Sequence, residues 1–536
     1  MNTESKVTGL RYWMLRVLEE CDNVAAHFTA DPVHDLRVSL RRCRSMADGM
    51  MAMDPDRNWK AMKKGGKYLF QRLGALRDVQ VMMEWVEKLN FAALSSAPTS
   101  FESSNTQDAN SSVPESGALD SPPNPAQALL QILQAREAQE KREARAALES
   151  FDRKQWRRWS NMLPRRAARI RPGSTVFKHL ALERWEKARE LHTAALRNRS
   201  QVAFHMLRIG IKRFRYIVEN FLLVEHEAWS ADLKHMQDLL GEVHDFDVLW
   251  TTAQSCHIFS DEPTRRNWHE RITQERTKRV DEYRQRTVGP DSLWGVWRAG
   301  LPQGRQIEET ATRRMKLWAR VLDPDFAHSE RVARLSLQVY DGLLAADAFR
   351  TPAQENGNAN GFRRSLYAAA LLHDVGKSEG NKGHHKESQK LIRKHGTPLG
   401  WNEEDMRRAA LVARFHRGAL PVRRRRELHD LPPEEQAQVI RLAAILRLAN
   451  ALDCGHDGRI RRVRVELPAG ERNVQRSNGF QRKPALVRTD EALVITAEGY
   501  ADGTPMAQTV AAERYLLETV LRRPVIVRPW KTSTHH

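Results

Sequence analysis

The sequence predicts a mainly α-helical protein with a duplicated helical bundle, a second all-α region and a small α/β piece at its C-terminal end. Apolar residues recur at the i, i+3, i+4 and i+7 spacing of amphipathic helices from about Ala126 to Arg286 and again from about Ile307 to Leu452. Polar and apolar residues alternate only after Gly458, in RIRRVRVEL and EALVITAEG, and a helix candidate, TVAAERYLLETVLRR, follows them.

The length of 536 residues corresponds to several domains at ~100–200 residues per domain. Changes in composition divide the chain into a first domain at 1–287, a Gly- and Pro-containing linker at 288–305, an all-α domain at 306–458 and a small α/β domain at 459–536. The stretch 94–125 is rich in Ser, Pro and Asn and nearly free of large apolar residues. We expect a disordered insertion there.

The overall composition excludes several classes of protein. With 41% apolar and 29% charged residues the chain is globular. It has no run of ~18 apolar residues, and residues 1–22 contain no continuous apolar stretch, so we expect neither a membrane span nor a secretion signal. The four cysteines are far apart and form no C-x-x-C, so we expect neither disulfides nor a zinc knuckle, and a cytoplasmic location.

The formal net charge of +20 is concentrated in a repeated helix. VHDLRVSLRRCRS and FHMLRIGIKRFRY each place basic residues 3, 7, 8 and 10 positions after a His. At about 100° per residue, positions 0, +3, +7 and +10 lie within about 80° of arc, so each helix carries a basic row along one edge. The rows consist of His34, Arg37, Arg41, Arg42 and Arg44 in the first copy and His205, Arg208, Lys212, Arg213 and Arg215 in the second.

The surrounding residues support a duplication. Matching apolar positions define a core-facing side in both helices: Val33, Leu36, Leu40 and Cys43, and Phe204, Leu207, Ile211 and Phe214. A Gly-x-x-x-Asp segment follows each copy and ends in Asp78 or Asp245. We expect Asp31 to cap the first helix, with Pro32 as its first residue, and Ser200 to cap the second.

The two rows favour an extended polyanion as ligand. A single basic helix edge is most often a solvated face, but two copies with identical spacing and no acidic partner at i+4 on the row favour a bound anion. Arginine can bind phosphate oxygens in a bidentate manner. Nucleic acid and inorganic polyphosphate are the two candidates. Only Tyr216 projects near a row, whereas single-strand nucleic-acid binders interleave aromatic residues, so polyphosphate is favoured.

These helices and the Gly-x-x-x-Asp segments resemble the CHAD domain, the conserved histidine α-helical domain. The resemblance covers roughly residues 8–285 apart from the insertion. It implies two related helical bundles around a basic central pore, with inorganic polyphosphate bound by the ten residues of the two rows. The second copy departs from the first at His244, where the first copy has Arg77.

The second helical region carries a constellation of His and Asp residues suited to a metal. The helix LYAAALLHDVGK ends in the adjacent candidate ligands His373 and Asp374, followed by Lys377. The other candidate ligands are His328, His384, His385, His416 and Asp453. Such a set suits Zn, Mn, Fe, Ni or Mg, and a divalent ion would polarise a phosphoryl oxygen while Lys377 neutralises phosphate charge. Buried, hydrogen-bonded histidines without a metal are the alternative interpretation.

This order of His, His-Asp, His, His and Asp resembles the HD-domain phosphohydrolases, which implies Asp374 and Lys377 as catalytic residues. The chain from about Gln306 onward also resembles the C-terminal half of the exopolyphosphatase/guanosine-pentaphosphatase family, through AALLHDVGK, GHHKESQKLI, LVARFHRGALP and RLAAILRLANALD. The family's actin-like catalytic half has no counterpart here. Asn450 also occupies the position that is commonly the last Asp ligand of HD domains, and Glu387 replaces a His.

The leading hypothesis is therefore a polyphosphate-binding protein whose HD domain is a metal-dependent phosphohydrolase acting on polyphosphate or nucleotide polyphosphates. A non-enzymatic scaffold at polyphosphate granules with a degenerate HD domain is the second hypothesis, and an RNA-binding protein is the third. The sequence leaves open the oligomeric state, the metal, and which of His384 and His385 faces the site.

Overall fold

A computed structural model of the chain describes residues 9–89, 124–348, 359–466 and 492–530. The chain divides into two compact units, Met1–Ala52 with Asp56–Gly304, and Met53–Pro55 with Arg305–His536. Helices dominate both units, and a three-stranded sheet lies in the C-terminal part of the second. The predicted mainly α fold class is therefore confirmed. Most of the predicted insertion at 94–125 lies outside the described residues.

The first unit is built of eleven described helices. In chain order they are α1 Leu10–Ala26, α2 Ala30–Met51, α3 Arg57–Gly65, α4 Lys67–Lys88, α5 Pro125–Glu149, α6 Arg153–Ala167, α7 Thr175–Asn198, α8 Gln201–Phe221, α9 Leu223–Ser255, α10 Glu262–Thr287 and α11 Leu293–Ala299. The basic rows lie on α2 and α8, which pack against each other. The Gly-x-x-x-Asp segments lie on α4 and α9, which also pack together.

The core-facing positions of the repeat are all buried, as predicted. Burial of one apolar face against α1 and α7 orients α2 and α8, so their rows must lie at the edge of the core. Ser200 caps α8 as predicted, accepting a hydrogen bond from the amide of Ala203. The predicted Asp31 cap is wrong: α2 already begins at Ala30 after an extended Thr29, so Asp31 lies in the first turn, where its charge favours the helix N-terminus.

The second unit contains nine helices, a short 3-10 helix and three strands within its described residues. These are α12 Arg305–Leu322, α13 Phe326–Ala345, α14 Ala359–Leu372, the 3-10 helix Val375–Glu379, α15 His384–His395, α16 Glu403–Arg414, α17 Arg426–His429, α18 Pro433–Leu452, β1 Val463–Glu466, β2 Leu493–Ala497, α19 Pro505–Glu513, α20 Tyr515–Leu521 and β3 Val525–Pro529. The strands lie in the order β1-β2-β3.

One apolar core joins these helices to the sheet. Strand β1 pairs antiparallel with β2, with Val463 opposite Ala497, and β2 pairs parallel with β3, with Leu493 opposite Val525. Helix α18 is buried along nearly its whole length and packs against α13, α14 and α16. The ends of these helices therefore meet around α18. No helix in the described ranges is long and apolar enough to cross a membrane.

Candidate functional site

The two basic rows converge where α2 meets α8. Four cations, two from each copy, lie within electrostatic reach of one another, and we call them the basic cluster: Arg37, Arg41, Arg208 and Lys212. All four side chains are half-buried. Burial, together with the charges of Arg208, Arg41 and Arg37, lowers the pKa of Lys212 to about 8. The duplication thus produces one shared site rather than two separate rows.

The basic cluster holds hydrogen-bond donors without partners. The Nε atoms of Arg37 and Arg41 are buried and have no hydrogen-bond partner in the described part of the chain. Burial also lowers the pKa of Arg37, although Asp78 opposes this shift. Buried donors are normally paired, because an unpaired donor loses its hydration without replacement. An anionic ligand would supply the missing acceptors.

The two aspartates of the Gly-x-x-x-Asp segments adjoin the basic cluster. Burial raises the pKa of Asp78, although Arg37, Arg208 and Lys212 lower it. Burial likewise raises the pKa of Asp245 to about 6, with Arg208 opposing the shift and Asp78 adding to it. The sequence identified these residues as part of the repeat but assigned them no role.

An open groove of about 280 Å³ runs beside the second row. Its walls are formed by Arg208, Lys212, Gln237, Asp238, Gly241, Glu242 and Asp245. Glu242 is engaged by Arg279 at 2.7 Å. The groove therefore exposes two members of the basic cluster to solvent beside the carboxylate of Asp245.

Three other row residues are held by the protein itself. The expectation that the rows lack an acidic partner at i+4 is wrong, because Glu219 lies 3.9 Å from Arg215 and also pairs with Arg42. Arg44 donates to the carbonyl of Lys63 at 2.7 Å, which fixes α2 against α3. Terminal nitrogens of these three arginines thus contact protein oxygens, although the buried Nε atoms of Arg42 and Arg215, like those of Arg37 and Arg41, have no hydrogen-bond partner in the described part of the chain.

The remaining row residues lie outside the basic cluster. His34 and Arg213 are exposed. Nδ1 of His205 lies 3.4 Å from Nδ1 of His244, and burial with the nearby Arg208 lowers the pKa of His244 to about 4. His244 is therefore neutral near pH 7, unlike Arg77 at the equivalent position of the first copy.

Tyr216 lies between the rows, as its spacing predicts. The guanidinium of Arg41 is 5.7 Å from the ring centroid and Nζ of Lys212 is 5.9 Å from it. The first row also touches aromatics from other helices, with Arg42 over Trp13 and Arg44 over Phe70. These three rings therefore lie against guanidinium groups of the first row.

In the second unit, the candidate metal ligands meet at the ends of helices. His373 and Asp374 follow α14, His384 begins α15 and His416 follows α16. We call these four residues the His/Asp cluster, and each is at most 3% exposed. Oδ1 of Asp374 is 3.1 Å from Nε2 of His384 and 3.7 Å from Nε2 of His416, and the two Nε2 atoms are 3.2 Å apart.

Backbone carbonyls orient the three histidines. Nδ1 of His373 donates to Ala370, Nδ1 of His384 to Asn381 and Nδ1 of His416 to Ala413, at 2.8, 2.9 and 2.8 Å. A neutral imidazole that donates from Nδ1 carries its lone pair on Nε2. The Nε2 lone pairs therefore face the interior of the cluster, the second-sphere arrangement that typically orients metal-binding histidines.

The donor set fits a divalent metal. Tetrahedral bonds of about 2.0–2.1 Å separate neighbouring ligand atoms by about 3.3 Å, close to the triangle formed by Asp374, His384 and His416. Burial lowers the pKa of His416, so its imidazole is neutral and can act as a ligand. Nε2 of His373 is buried without a hydrogen-bond partner among the residues described. Two sets of ligand atoms share Asp374: one adds His384 and His416, and the other adds His328 and His373.

His328 and Asp453 form a second layer at the edge of the His/Asp cluster. Nδ1 of His328 is 2.7 Å from Oδ2 of Asp453, and its Nε2 is 3.0 Å from Oδ1 of Asn450. The carboxylate of Asp453 also accepts from Arg331 at 2.9 Å and from the amide of Gly458. Asp453 lies outside both sets of candidate ligand atoms, and its contacts suit a residue that orients His328.

His384 faces the cluster, whereas its neighbour His385 does not belong to either ligand set of the described residues. Burial, with the nearby Arg414, lowers the pKa of His385 to about 4. Nζ of Lys377 is 2.5 Å from Oδ2 of Asp374. Burial would raise the pKa of Asp374, yet its surroundings, Lys377 among them, hold that pKa well below its usual range.

Two residues that the sequence analysis missed hold the His/Asp cluster in place. Ser388 Oγ donates to the carbonyl of His373 at 2.6 Å and accepts from the amide of Gly376 at 2.9 Å, so it ties α15 to the end of α14. Arg447 is 6% exposed and donates to the carbonyls of Phe415 and Gly418, which flank His416. A lone Arg in the apolar stretch LAAILRLANAL was the available signal for this second residue.

Comparison with known proteins agrees with both regions. No curated protein matches the chain. Residues 14–254, which contain both basic rows, match the family model of the CHAD domain. Residues 309–490, which contain the cluster ligands, match the model described as Ppx/GppA phosphatase, domain III. The chain thus combines a CHAD domain with a domain III of the Ppx/GppA phosphatase type.

Proposed function

We propose that this protein binds inorganic polyphosphate through its CHAD domain and that its second unit is an HD-type, metal-dependent phosphohydrolase acting on polyphosphate or nucleotide polyphosphates. The two family matches support a polyphosphate-associated protein. The proposal of polyphosphate binding rests on the basic cluster, and the proposal of metal-dependent hydrolysis rests on the His/Asp cluster. The binding assignment is carried by the convergence of four half-buried cations with unpaired donors at one place.

Polyphosphate fits the basic cluster better than a compact anion does. Cations from both copies contribute to one region, and the groove beside Arg208 and Lys212 is open to solvent. Repeated phosphates along a chain could satisfy guanidinium groups of α2 and α8 at the same time, with bidentate contacts to Arg37 and Arg208. Because the cluster cations repel one another, a ligand carrying several charges gains more there than a single phosphate.

The binding proposal is tested with the full chain and inorganic polyphosphate of defined length. We expect Arg37→Ala with Arg208→Ala to weaken binding by more than about 100-fold, since each lost charge-assisted contact contributes roughly 1.5–3 kcal/mol. The matched control is Arg157→Ala with Arg158→Ala, which removes two exposed arginines of α6 and the same net charge. Equal affinities of the two double variants would reject the assignment. Competition by RNA of matched charge tests the RNA-binding hypothesis.

The catalytic proposal is carried by the triangle of ligand atoms from Asp374, His384 and His416. A divalent ion held there would act as a Lewis acid toward a phosphoryl oxygen and would lower the pKa of water. Asp374 supplies the anionic ligand, and the backbone carbonyls hold the imidazoles in position. Lys377, paired with Asp374, places a positive charge beside this carboxylate that can also attract substrate phosphate.

The metal is tested by elemental analysis of the purified full chain after loading with Zn, Mn, Fe, Ni or Mg in turn. We expect about one bound ion per chain with the preferred metal, and phosphate release from polyphosphate or guanosine polyphosphates. Asp374→Ala should abolish both, whereas Asp341→Ala, which removes a surface carboxylate paired with Arg363, should change neither. Turnover that survives Asp374→Ala would reject the enzyme.

One observation favours a non-enzymatic scaffold at polyphosphate granules as the second candidate. Asn450 stands beside His328 where HD domains commonly have an aspartate, and it offers an amide rather than a carboxylate. Stoichiometric metal without hydrolysis of any tested polyphosphate, together with intact polyphosphate binding, would favour this scaffold.

A further inference from the structure

We propose that Asp78 and Asp245 belong to the polyphosphate site, where they balance the basic cluster in the empty state and take up a proton when polyphosphate binds. This inference rests on the proposed polyphosphate binding and adds residues that set its dependence on pH. It assigns a role to the second half of the repeat, the Gly-x-x-x-Asp segments.

The two aspartates occupy equivalent positions in the repeat and converge on one place. They lie on α4 and α9, which pack against each other, and each adjoins cations of the basic cluster. Asp245 lines the groove together with Arg208 and Lys212. Neither aspartate forms an ion pair within 4.0 Å among the residues described. The cations thus remain open to ligand while the carboxylates offset part of their charge.

The surroundings of both aspartates come from five helices. The groups that face Asp245 are Arg208 and Lys212 of α8, Asp78 and Trp85 of α4, and Asp238 and Glu242 of α9. Glu242 is in turn paired with Arg279 of α10. The groups that face Asp78 are Arg37 of α2, Arg208 and Lys212 of α8, and Arg77 of α4. Cations therefore dominate around Asp78, whereas Asp245 faces both cations and other carboxylates.

Bound phosphates would change this balance. A phosphate chain in contact with Arg208 and Lys212 brings negative charge close to both carboxylates and shares the cations that had stabilised their ionised form. Their protonated form is then favoured. Since the pKa of Asp245 is already about 6 in the empty site, a further rise brings its titration to neutral pH. Binding must then take up protons, and affinity must rise as pH falls.

The test is calorimetric titration of the full chain with inorganic polyphosphate, in EDTA, using buffers of different ionisation enthalpy near pH 7. For the unchanged protein we expect uptake of about 0.5–1 proton per site and up to a tenfold gain in affinity per pH unit between about pH 7.5 and pH 6. Asp245→Asn mimics the protonated form, so it should bind several-fold more tightly at about pH 7.5 and lose most of the uptake.

Asp78→Asn should also bind polyphosphate more tightly at about pH 7.5 and take up fewer protons. This variant keeps the proposal testable if Asp245→Asn fails to fold. The matched control is Asp281→Asn, an exposed carboxylate 3.8 Å from Arg284 on α10, which should leave uptake unchanged. Lys212→Arg keeps the positive charge but removes a second titrating group that lines the groove with Asp245. Uptake that persists in both aspartate variants, or that disappears only in Lys212→Arg, overturns the inference. Absence of polyphosphate binding in every protein overturns the proposed function itself.

Discussion

The basic cluster and the His/Asp cluster both contain polar atoms without partners, but they differ in depth and in sign. Arg208 and Lys212 are half-buried cations that line an open groove, whereas Asp374 and His384 are almost fully buried. Cations at a solvent-accessible edge can be neutralised by an extended anion that approaches from outside. Converging lone pairs in a closed interior can be satisfied by a small cation. Polar atoms without partners therefore indicate an anionic ligand at the basic cluster and a cationic ligand at the His/Asp cluster.

The largest expected effect on the fold is a disruption of the His/Asp cluster in a variant that keeps every ligand residue. A Cβ on Gly376 would lie 2.1 Å from the carbonyl oxygen of His384 and 2.5 Å from the amide of Ser388, both backbone atoms. Gly376→Ala must therefore push the turn after Asp374 away from α15, at a cost of roughly 3 kcal/mol or more in unfolding free energy. We expect metal content to fall at least tenfold, as measured by elemental analysis and urea unfolding.

Polyphosphate affinity should remain within about twofold in this variant if the two clusters work independently. Gly455→Ala is the control, because its Cβ would meet Asp457 at an ordinary 3.6 Å. A metal content in Gly376→Ala equal to that of Gly455→Ala would show that the close approach of the turn to α15 does not set the ligand geometry.

The salt dependence of polyphosphate binding should distinguish the basic cluster from the complete rows. Four phosphate contacts predict a log–log slope of about −3 by analogy with single strands, or roughly 50-fold weaker binding between about 50 and 200 mM salt. Contacts from all ten row residues would give a slope near −7 and a loss of well over a thousandfold. We expect the smaller slope, since Arg42, Arg44 and Arg215 already have protein acceptors. This slope is measured by titrating the protein with labelled polyphosphate at several salt concentrations.

The pH dependence on the alkaline side should follow Lys212. Its pKa of about 8 in the empty site means that the side chain is charged below pH 8 and neutral above it. Polyphosphate affinity should therefore fall about five- to tenfold between about pH 7 and pH 9. Lys212→Arg keeps its charge over this range and should remove the fall. A decline of the same size in Lys212→Arg would assign it to another group.

Local patterns in the sequence were sufficient to predict much of this architecture. Helical periodicity located the helices, and the 0, +3, +7, +10 spacing predicted the basic rows, because both depend on the fixed rotation of an α-helix. The pairing of Glu219 with Arg42 depends instead on how α8 packs against α2, far away in sequence. Capping preference alone favours Asp31, but α2 begins at Ala30 after the extended Thr29, which makes no side-chain capping hydrogen bond, so the start of the helix does not follow the preferred cap.

In the second unit, the sequence analysis predicted all four residues of the His/Asp cluster. It could not distinguish candidate metal ligands from the residues that orient them. Asp453 and Asp374 both end helices in a similar way, and only the structure reveals that Asp453 is held by His328 and Arg331. The choice between His384 and His385 depends on a rotation of about 100° at the start of α15, which spacing alone does not fix. The roles of Ser388 and Arg447 arise from contacts between helices.

The smallest expected effect tests whether membership of a row is enough for binding. Arg213 has the same spacing in the second copy as Arg42 in the first, yet it is exposed, whereas Arg208 is half-buried and lowers the pKa of Lys212. The +8 position is rotated well away from the +3 and +7 positions that carry the cluster cations. Charges separated by more than about 8–10 Å of solvent are largely screened at physiological ionic strength. We therefore expect Arg213→Ala to change polyphosphate affinity less than twofold and Arg208→Ala about tenfold or more in the same titration. If the two single variants lost affinity equally, the ligand would follow the whole basic edge of α8, and burial beside α2 would no longer distinguish the cations that bind it.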